Sequence, residues 1–125
     1  MFIEIETTSD IPIYTQLVNQ LIGLIAAGDL KPNEPLPSVR SLASDLGVNM
    51  HTVNKAYHEL ERKKILNIIP KSGAIVNDSK TPSEEQLSTI IQLLKPIIAE
   101  AIVYGVEEAK IMSIASSLIS EFKEG

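Results

Sequence analysis

Five closely spaced residues carry side chains that can read DNA: Asn49, His51, Thr52, Asn54 and Lys55. An Asn amide can pair with adenine through two hydrogen bonds, a Thr can contact a thymine methyl group, and a His can donate to a guanine acceptor. A Lys ammonium suits a backbone phosphate. The stretch therefore predicts a surface that contacts base edges and phosphates of double-stranded DNA. Asn49 has an equally good alternative explanation, because Asn is a favoured helix N-cap.

Further candidate contacts lie on either side of this stretch. Arg40 near the start of a preceding helix should reach a phosphate or a base edge, the alternative being a solvated surface Arg. Ser38 precedes it, and its hydroxyl can accept the first free N–H groups of that helix. Lys71, Ser72 and Gly73 fall in a predicted bend, from which they could reach the minor groove or its phosphates.

Two helices must position these side chains. The first begins at Ser38 and ends at Gly47, where a left-handed backbone is free of strain only without a Cβ. The second is predicted over residues 50–64 and places an apolar stripe inward: Val53, Ala56, Tyr57 and Leu60. Two helices joined by a tight turn, with polar residues starting the second, indicate a helix-turn-helix whose second helix enters the major groove.

A hairpin is predicted to follow the helix pair. The runs 66–69 and 74–76 are rich in β-branched residues, and the bend 70–73 contains Pro and Gly. An earlier helix opens at Ile11-Pro12 and stops at Gly28-Asp29, with Tyr14 assigned to its buried stripe rather than to a ligand contact. Residues 1–6 are predicted to form a short extended segment. The resulting fold class is mainly α with a small β-hairpin wing.

The segments IPIYTQL, GDLKPNEPLPSVRSLASDLGV and HTVNKAYHELE stand in order between residues 11 and 78. Together they resemble the winged helix-turn-helix domain of the GntR family of bacterial transcription regulators. The resemblance implies a DNA-contacting Arg40, a homodimer on a near-palindromic operator, and repression by promoter occupancy. The sequence departs from the usual pattern of this family in three places. Asn33 stands where Gly is usual, Met50 and Asn54 stand where arginines are usual, and the wing is poor in Arg. These departures leave the operator sequence open.

Beyond the predicted boundary at residues 77–82, two amphipathic helices are expected within residues 82–123. Thr81 followed by Glu84 and Glu85 predicts the first helix start, and Pro96 should kink or break that helix. Their apolar positions are predicted to form a self-association surface: Leu87, Ile90, Ile91, Leu94, Ile98, Ile102, Ile111, Ile114, Leu118 and Phe122. The tail is similar to that of the YtrA-like subfamily, which implies a two-helix dimerisation region. We therefore divide the chain into a DNA-binding domain, residues 11–79, and a dimerisation region, residues 82–123.

Composition limits the function classes. The formal net charge is −5, yet residues 38–80 carry seven basic and four acidic side chains, whereas the rest of the chain beyond them is acidic. Part of this positive charge, the run Arg62, Lys63 and Lys64, is explained as well by a solvated helix end. Phosphate binding depends on the local field, so a modest DNA surface is compatible with net acidity, and tight binding should need two copies.

The chain has no Cys, which excludes disulfides and thiolate chemistry. His51 and His58 lack a third ligand at metal spacing, so we predict no metal, no cofactor and no enzyme. The longest apolar run, residues 21–28, is too short to cross a bilayer, and the acidic N-terminus lacks the features of a signal peptide. These observations predict a soluble cytoplasmic protein. Two alternatives stay open: a winged-helix module that recruits a partner protein through its tail, and a sensor with a shared small-molecule pocket.

Overall fold

The computed structural model describes residues 2–123 of the 125-residue chain. Its elements in chain order are α1 (Ile13–Ala26), β1 (Pro35–Leu36), α2 (Val39–Leu46), α3 (Met50–Arg62), β2 (Leu66–Ile69), β3 (Gly73–Val76), α4 (Glu84–Val103) and α5 (Glu108–Lys123). They fall into two compact units that meet in sequence at Asp78 and Ser79. The predicted fold class, mainly helical with a small wing, is confirmed.

The N-terminal unit has one hydrophobic core, to which α1, α2, α3 and the sheet all contribute. Its fully buried side chains include Tyr57, Leu17, Leu21, Leu60, Leu66, Val53 and Val76. All four residues of the predicted α3 stripe are buried. Tyr57 satisfies its polar end by donating its hydroxyl to the carbonyl oxygen of Pro37 at 2.7 Å. This hydrogen bond ties α3 to the entrance of α2.

Local capping explains where the two central helices begin and end. Ser38 Oγ accepts from the Ser41 N–H at 3.1 Å and starts α2. Gly47 ends α2 with a φ of 68°, and the Val48 N–H donates back to the Ala43 carbonyl, as in a Schellman motif. Helix α3 ends at Arg62, two residues earlier than predicted, because Lys64 adopts a left-handed φ of 63°.

The wing contains three strands rather than the predicted two. The strand order is β1-β3-β2, with both pairs antiparallel, and Leu36 of β1 lies opposite Ala74. Two hydrogen bonds extend this pairing, from the Asn33 N–H to the Val76 carbonyl and from the Val76 N–H to the Glu34 carbonyl. Asn33 holds a φ of 66°, a conformation that Asn tolerates better than most residues. This explains how Asn replaces the Gly expected there.

Residues 2–6 form neither a helix nor a strand, whereas residues 1–6 were predicted to form a short extended segment; Met1 lies outside the described residues. Ile3 packs against the hydrophobic core. The Gln20 amide accepts from the Glu4 N–H at 2.9 Å and donates to the Glu4 carbonyl, and Gln16 makes the same pair of bonds with Glu6. These amide side chains act as a strand partner, so the segment belongs to the N-terminal unit.

The first helix of the C-terminal unit begins at a different residue from the predicted one. The N-cap of α4 is Ser83, which forms a capping box with Gln86, and Thr81 lies outside the helix. Ser83 takes this role because its partner three residues on can reach back to its N–H. Helix α4 continues through Pro96 without a break. Of the two predicted outcomes, a kink or a break, the break is therefore wrong. Among the described residues, neither α4 nor α5 has a buried side chain.

By length and composition alone, α4 is apolar enough to cross a membrane. The sequence prediction considered only uninterrupted apolar runs and did not identify this helix. Polar residues are spread along α4, including Lys95 near its centre. Two physical explanations of its apolar surface therefore have to be weighed: a lipid environment or a protein partner.

Candidate nucleic-acid interface

The α2–turn–α3 segment presents most of the predicted contact residues to solvent. Arg40, His51, Asn54 and Lys55 are exposed, and Thr52 is partly buried. They remain accessible because the opposite face of α3 is the buried stripe that packs on the core. The arrangement can donate and accept hydrogen bonds at base edges while offering positive charge to phosphates.

Asn49 serves as the N-cap of α3, as its alternative explanation required. Its Oδ1 accepts from the His51 N–H at 2.7 Å. Paired recognition of adenine uses both the oxygen and the nitrogen of an amide, and here the oxygen is already engaged. The Asn49 amide nitrogen is thus the part suited to contact DNA, while Asn54 in the next turn keeps its whole amide for a base.

An open depression of about 500 Å³ lies between the starts of α1 and α3. Its lining combines four predicted contact residues with two from α1: Ile13, Tyr14, Asn49, His51, Thr52 and Lys55. The Lys55 ammonium lies 3.8 Å from the centre of the Tyr14 ring. Sequence reasoning assigned Tyr14 to the buried stripe, and the ring does pack partly against the core. The contact of the Tyr14 ring with the Lys55 ammonium was not predicted.

The ends of the helices distinguish the two units electrostatically. Helices α2 and α3 have no acidic residue in the first turn, and Arg40 and His51 occupy those turns instead. Helices α4 and α5 both carry acids there, Glu84 and Glu108 among them. Acids near a helix N-terminus neutralise the positive end of the helix dipole. The starts of α2 and α3 therefore keep a positive potential suited to phosphate.

The tip of the wing is a tight turn over Ile69–Ser72, with the Ser72 N–H donating to the Ile69 carbonyl at 3.0 Å. Lys71 holds a φ of 69° in its third position, which is typical of a type II turn after Pro. Lys71 and Ser72 are exposed, as a DNA contact requires. Gly73 is not at the tip: it is buried in β3 against the backbone of β1. It shapes the wing and has no exposed surface for DNA.

Two residues of the basic run at the end of α3, Arg62 and Lys63, contact an acidic side chain of the same helix. Arg62 donates to both carboxylate oxygens of Glu59, at 3.2 and 2.5 Å, and Lys63 lies 3.9 Å from the same carboxylate. The hydrogen bond from Arg62 holds the pKa of Glu59 below its usual value, assisted by neighbouring cations. Nearby, the Glu61 carboxylate accepts from the Ile68 N–H at 2.7 Å and joins α3 to the wing. These contacts favour the structural explanation of the run.

Within residues 2–123, no group of three or more His, Asp or Glu side chains is placed to hold a metal ion.

Residues 13–76 match the model for bacterial regulatory proteins of the gntR family. The chain belongs to the GntR family. It is 35% identical over 125 residues to the HTH-type transcriptional repressor YtrA of Bacillus subtilis (strain 168), covering 98% of this chain and 96% of that one. The likeness extends through α4 and α5, which confirms the predicted similarity to the YtrA-like subfamily.

Two solved structures extend the comparison. A structure titled as a transcriptional antiterminator from Listeria monocytogenes EGD-e superposes with a TM-score of 0.90 at 31% identity, covering 100% of this chain and 95% of that one. The N-terminal domain of AraR in complex with mutant ORR3 aligns with a TM-score of 0.50 at 27% identity, over 53% of this chain and 94% of that one. The GntR winged-helix fold of the chain is thus established, and the chain is a DNA-binding transcription regulator.

Proposed function

We propose that this GntR-family regulator represses transcription in the cytoplasm by binding a near-palindromic operator as a homodimer. The observation that carries the proposal is the division of α3 into a fully buried stripe and a polar, exposed N-terminal half. Such a helix is held rigidly by its core face while its first turns are free to enter a major groove. The name of the YtrA relative, a transcriptional repressor, supports repression as the outcome.

Each contact residue has a role that its chemistry and position support. Arg40 and Lys55 bind backbone phosphates, since both are exposed cations beside the open starts of α2 and α3. Thr52 and Asn54 face base edges, whereas His51 and the Asn49 amide nitrogen supply further donors. Lys71 and Ser72 extend from the wing turn toward the neighbouring phosphates.

The direct test is selection of bound duplexes from a random pool, followed by a salt titration on the enriched sequence. An inverted repeat with half-sites about one helical turn, roughly 10 bp, apart is expected, with log K falling linearly with log salt by about 0.9 per phosphate neutralised. A folded protein that enriches no duplex would contradict the proposal and favour a module that recruits a partner protein.

Substitutions then test the assigned roles. Arg40→Ala should weaken binding to all sequences and reduce the salt slope, and Thr52→Ala should relax sequence preference. Arg62→Ala is the matched control, because that Arg is exposed on the same domain but hydrogen-bonded to Glu59. If Arg62→Ala lowered affinity as much as Arg40→Ala, the assignment of Arg40 to the interface would be wrong.

The self-association surface on α4 and α5 is proposed to bind a second copy of the chain. Leu94, Ile98 and Leu118 are 40–49% exposed, the other predicted positions except Ile111 are 43–63% exposed, and Ile111 is partly buried. A membrane is the less favourable occupant, since a span over α4 would place Lys95 near the bilayer centre. That placement costs about 3 kcal/mol on insertion scales. A protein partner can leave Lys95 in solvent.

Leu94→Glu tests this surface. We expect a monomer in sedimentation and a large loss of operator affinity, because each copy would then bind its half-site alone. Gln92→Glu is the control, since it adds the same charge to an exposed α4 position and should stay dimeric. A wild-type protein that is monomeric in buffer and pellets with lipid vesicles would overturn the dimer and favour membrane attachment.

A further inference from the structure

Tyr14 and Lys55 form a contact that the roles assigned above leave unused. The Lys55 ammonium lies 3.8 Å from the centre of the Tyr14 ring, although the two residues belong to different helices. In the part of the chain that the structure describes, Lys55 makes no ion pair within 4 Å. The carboxylate one turn further along α3, that of Glu59, is engaged by Arg62 and Lys63. The Glu59 carboxylate attracts Lys55 only at longer range, as the last-ranked of the charges that lower its pKa, so the aromatic ring is the direct contact of this ammonium.

The ring itself is fixed by the fold. Tyr14 lies in the first turn of α1, packs partly against the hydrophobic core, and is followed one turn later by the fully buried Leu17. A Lys side chain has a flexible four-carbon stem, which must be ordered when its charge binds a ligand. A cation held over a fixed aromatic face is already partly ordered, so less freedom is lost on binding.

The place where the ammonium is held also matters. Tyr14 and Lys55 line the same depression as Asn49, His51 and Thr52, at the uncompensated N-terminus of α3. An anion in this depression would meet the ammonium together with the Thr52 hydroxyl and the Asn49 amide nitrogen, at the positive end of the α3 dipole. The cation over the Tyr14 ring is thus a second feature that points to an anion, in addition to the helix N-terminus.

We propose that Tyr14 is a positioning residue that holds Lys55 for one backbone phosphate of the operator. The inference rests on the proposed binding of DNA through α3 and adds a residue of α1 to it. The Tyr14 ring acts on DNA through Lys55 rather than by touching a base. Its effect should accordingly vanish when Lys55 is absent.

A double-mutant cycle tests this dependence with the full-length protein and its selected duplex. Tyr14→Leu keeps an apolar side chain but removes the ring, and should weaken binding about three- to fivefold for each copy in the homodimer, as expected for an exposed cation–π contact. Lys55→Ala should lower the salt slope by about 1.8, because each of the two copies loses one phosphate contact worth about 0.9. Adding Tyr14→Leu to Lys55→Ala should change affinity less than twofold. Tyr14→Phe is the matched control, which keeps the ring and should bind like wild type.

Three results would overturn the inference. If Tyr14→Leu lowered the affinity for DNA equally in the presence and absence of Lys55, the ring would act through the fold or by touching the DNA itself. A loss in Tyr14→Phe as large as in Tyr14→Leu would assign the effect to the hydroxyl. If Tyr14→Leu bound the duplex with wild-type affinity while Lys55→Ala bound it more weakly, Tyr14 would have no role in the interface. The proposed function would not be affected by that result. A wild-type protein that binds no duplex would instead refute both proposals.

A measurement on the wild-type protein keeps the inference testable if Tyr14→Leu does not fold. The Lys55 Cε is bonded to the ammonium nitrogen that lies over the ring, so its protons should be shifted upfield in the NMR spectrum by the ring current. Lys71, exposed at the wing turn, provides the reference shift. A Lys55 signal that coincides with that of Lys71 would show that the ammonium is not held over the ring, and would overturn the proposal.

Discussion

Replacing Gly73 with Ala should destabilise the wing more than the backbone angle alone explains. Gly73 has a φ of +107°, and an added Cβ would overlap the Leu36 carbonyl oxygen and lie 2.9 Å from the Pro37 carbonyl carbon and oxygen. All these neighbours are backbone atoms, so no side-chain rotation relieves the contact. Strand β3 lies between β1 and β2, and relief therefore requires the strands to separate.

The magnitude follows from two separate costs. A left-handed backbone costs a non-Gly residue about 1–2 kcal/mol, and overpacking typically costs about 1–3 kcal/mol more. Gly47→Ala is the matched control, because Gly47 has a φ of +68° with nothing within 4 Å of an added Cβ. Both variants lose the same freedom in the unfolded chain. The difference between them isolates the strand contact and should be about 1–3 kcal/mol.

The assay is urea denaturation followed by tyrosine fluorescence in a Tyr104→Phe background. The chain has three Tyr and no Trp. With Tyr104 removed from the C-terminal unit, Tyr14 and Tyr57 report unfolding of the N-terminal unit only. Equal free energies of unfolding for Gly73→Ala and Gly47→Ala would refute the close approach of β3 to β1.

Three further predictions concern hydrogen bonds. Tyr57→Phe should cost about 1 kcal/mol at neutral pH. Burial raises the pKa of Tyr57 from 10.0 to about 12. The stability that the neutral hydroxyl contributes is therefore retained below pH 10 and is lost as the pH rises toward 12. Urea midpoints measured against pH should fall over this range in the wild type, and the fall due to Tyr57 should be absent from Tyr57→Phe. Ser83→Ala removes the α4 cap and should cost about 1 kcal/mol of helix stability; circular dichroism at pH 7 should show this loss, whereas Thr81→Ala, a change outside the helix, should leave the stability unchanged. Glu61→Ala should speed hydrogen exchange of the Ile68 amide, and unchanged exchange would contradict that bond.

The sequence was sufficient to predict the central helices because each has its own local signals. Ser38, Gly47 and Asn49 act through hydrogen bonds and backbone angles within a few residues, and the α3 stripe repeats at helical spacing. Strand β1 has no such signal. It is two residues long, too short to show alternation, and it forms only because β3, far along the chain, pairs with Pro35 and Leu36.

The same distinction explains the errors at the candidate site. Gly73 follows a turn-forming sequence and was assigned to the tip, but its burial depends on β1, which the sequence did not reveal. Tyr14 was assigned to the core because it lies on an apolar stripe. Its contact with Lys55 depends on how α1 crosses α3, and no spacing within either helix specifies that crossing. Thr81 and Ser83 are both good caps, and only the reach of Gln86 distinguishes them.

The starts of α2 and α3 lack the acidic residues that would stabilise them, which leaves their positive potential free for a ligand. An acid in the first turn typically stabilises a helix by about 0.3–1 kcal/mol, and α4 and α5 use it. Helices α2 and α3 instead carry Arg40 and His51 there. A phosphate restores the missing negative charge, so part of this lost stability returns as binding energy. One copy offers few such positions, and two copies double the number of phosphates neutralised. If the wild-type protein binds as the proposed homodimer, its salt slope should therefore be about twice that of Leu94→Glu.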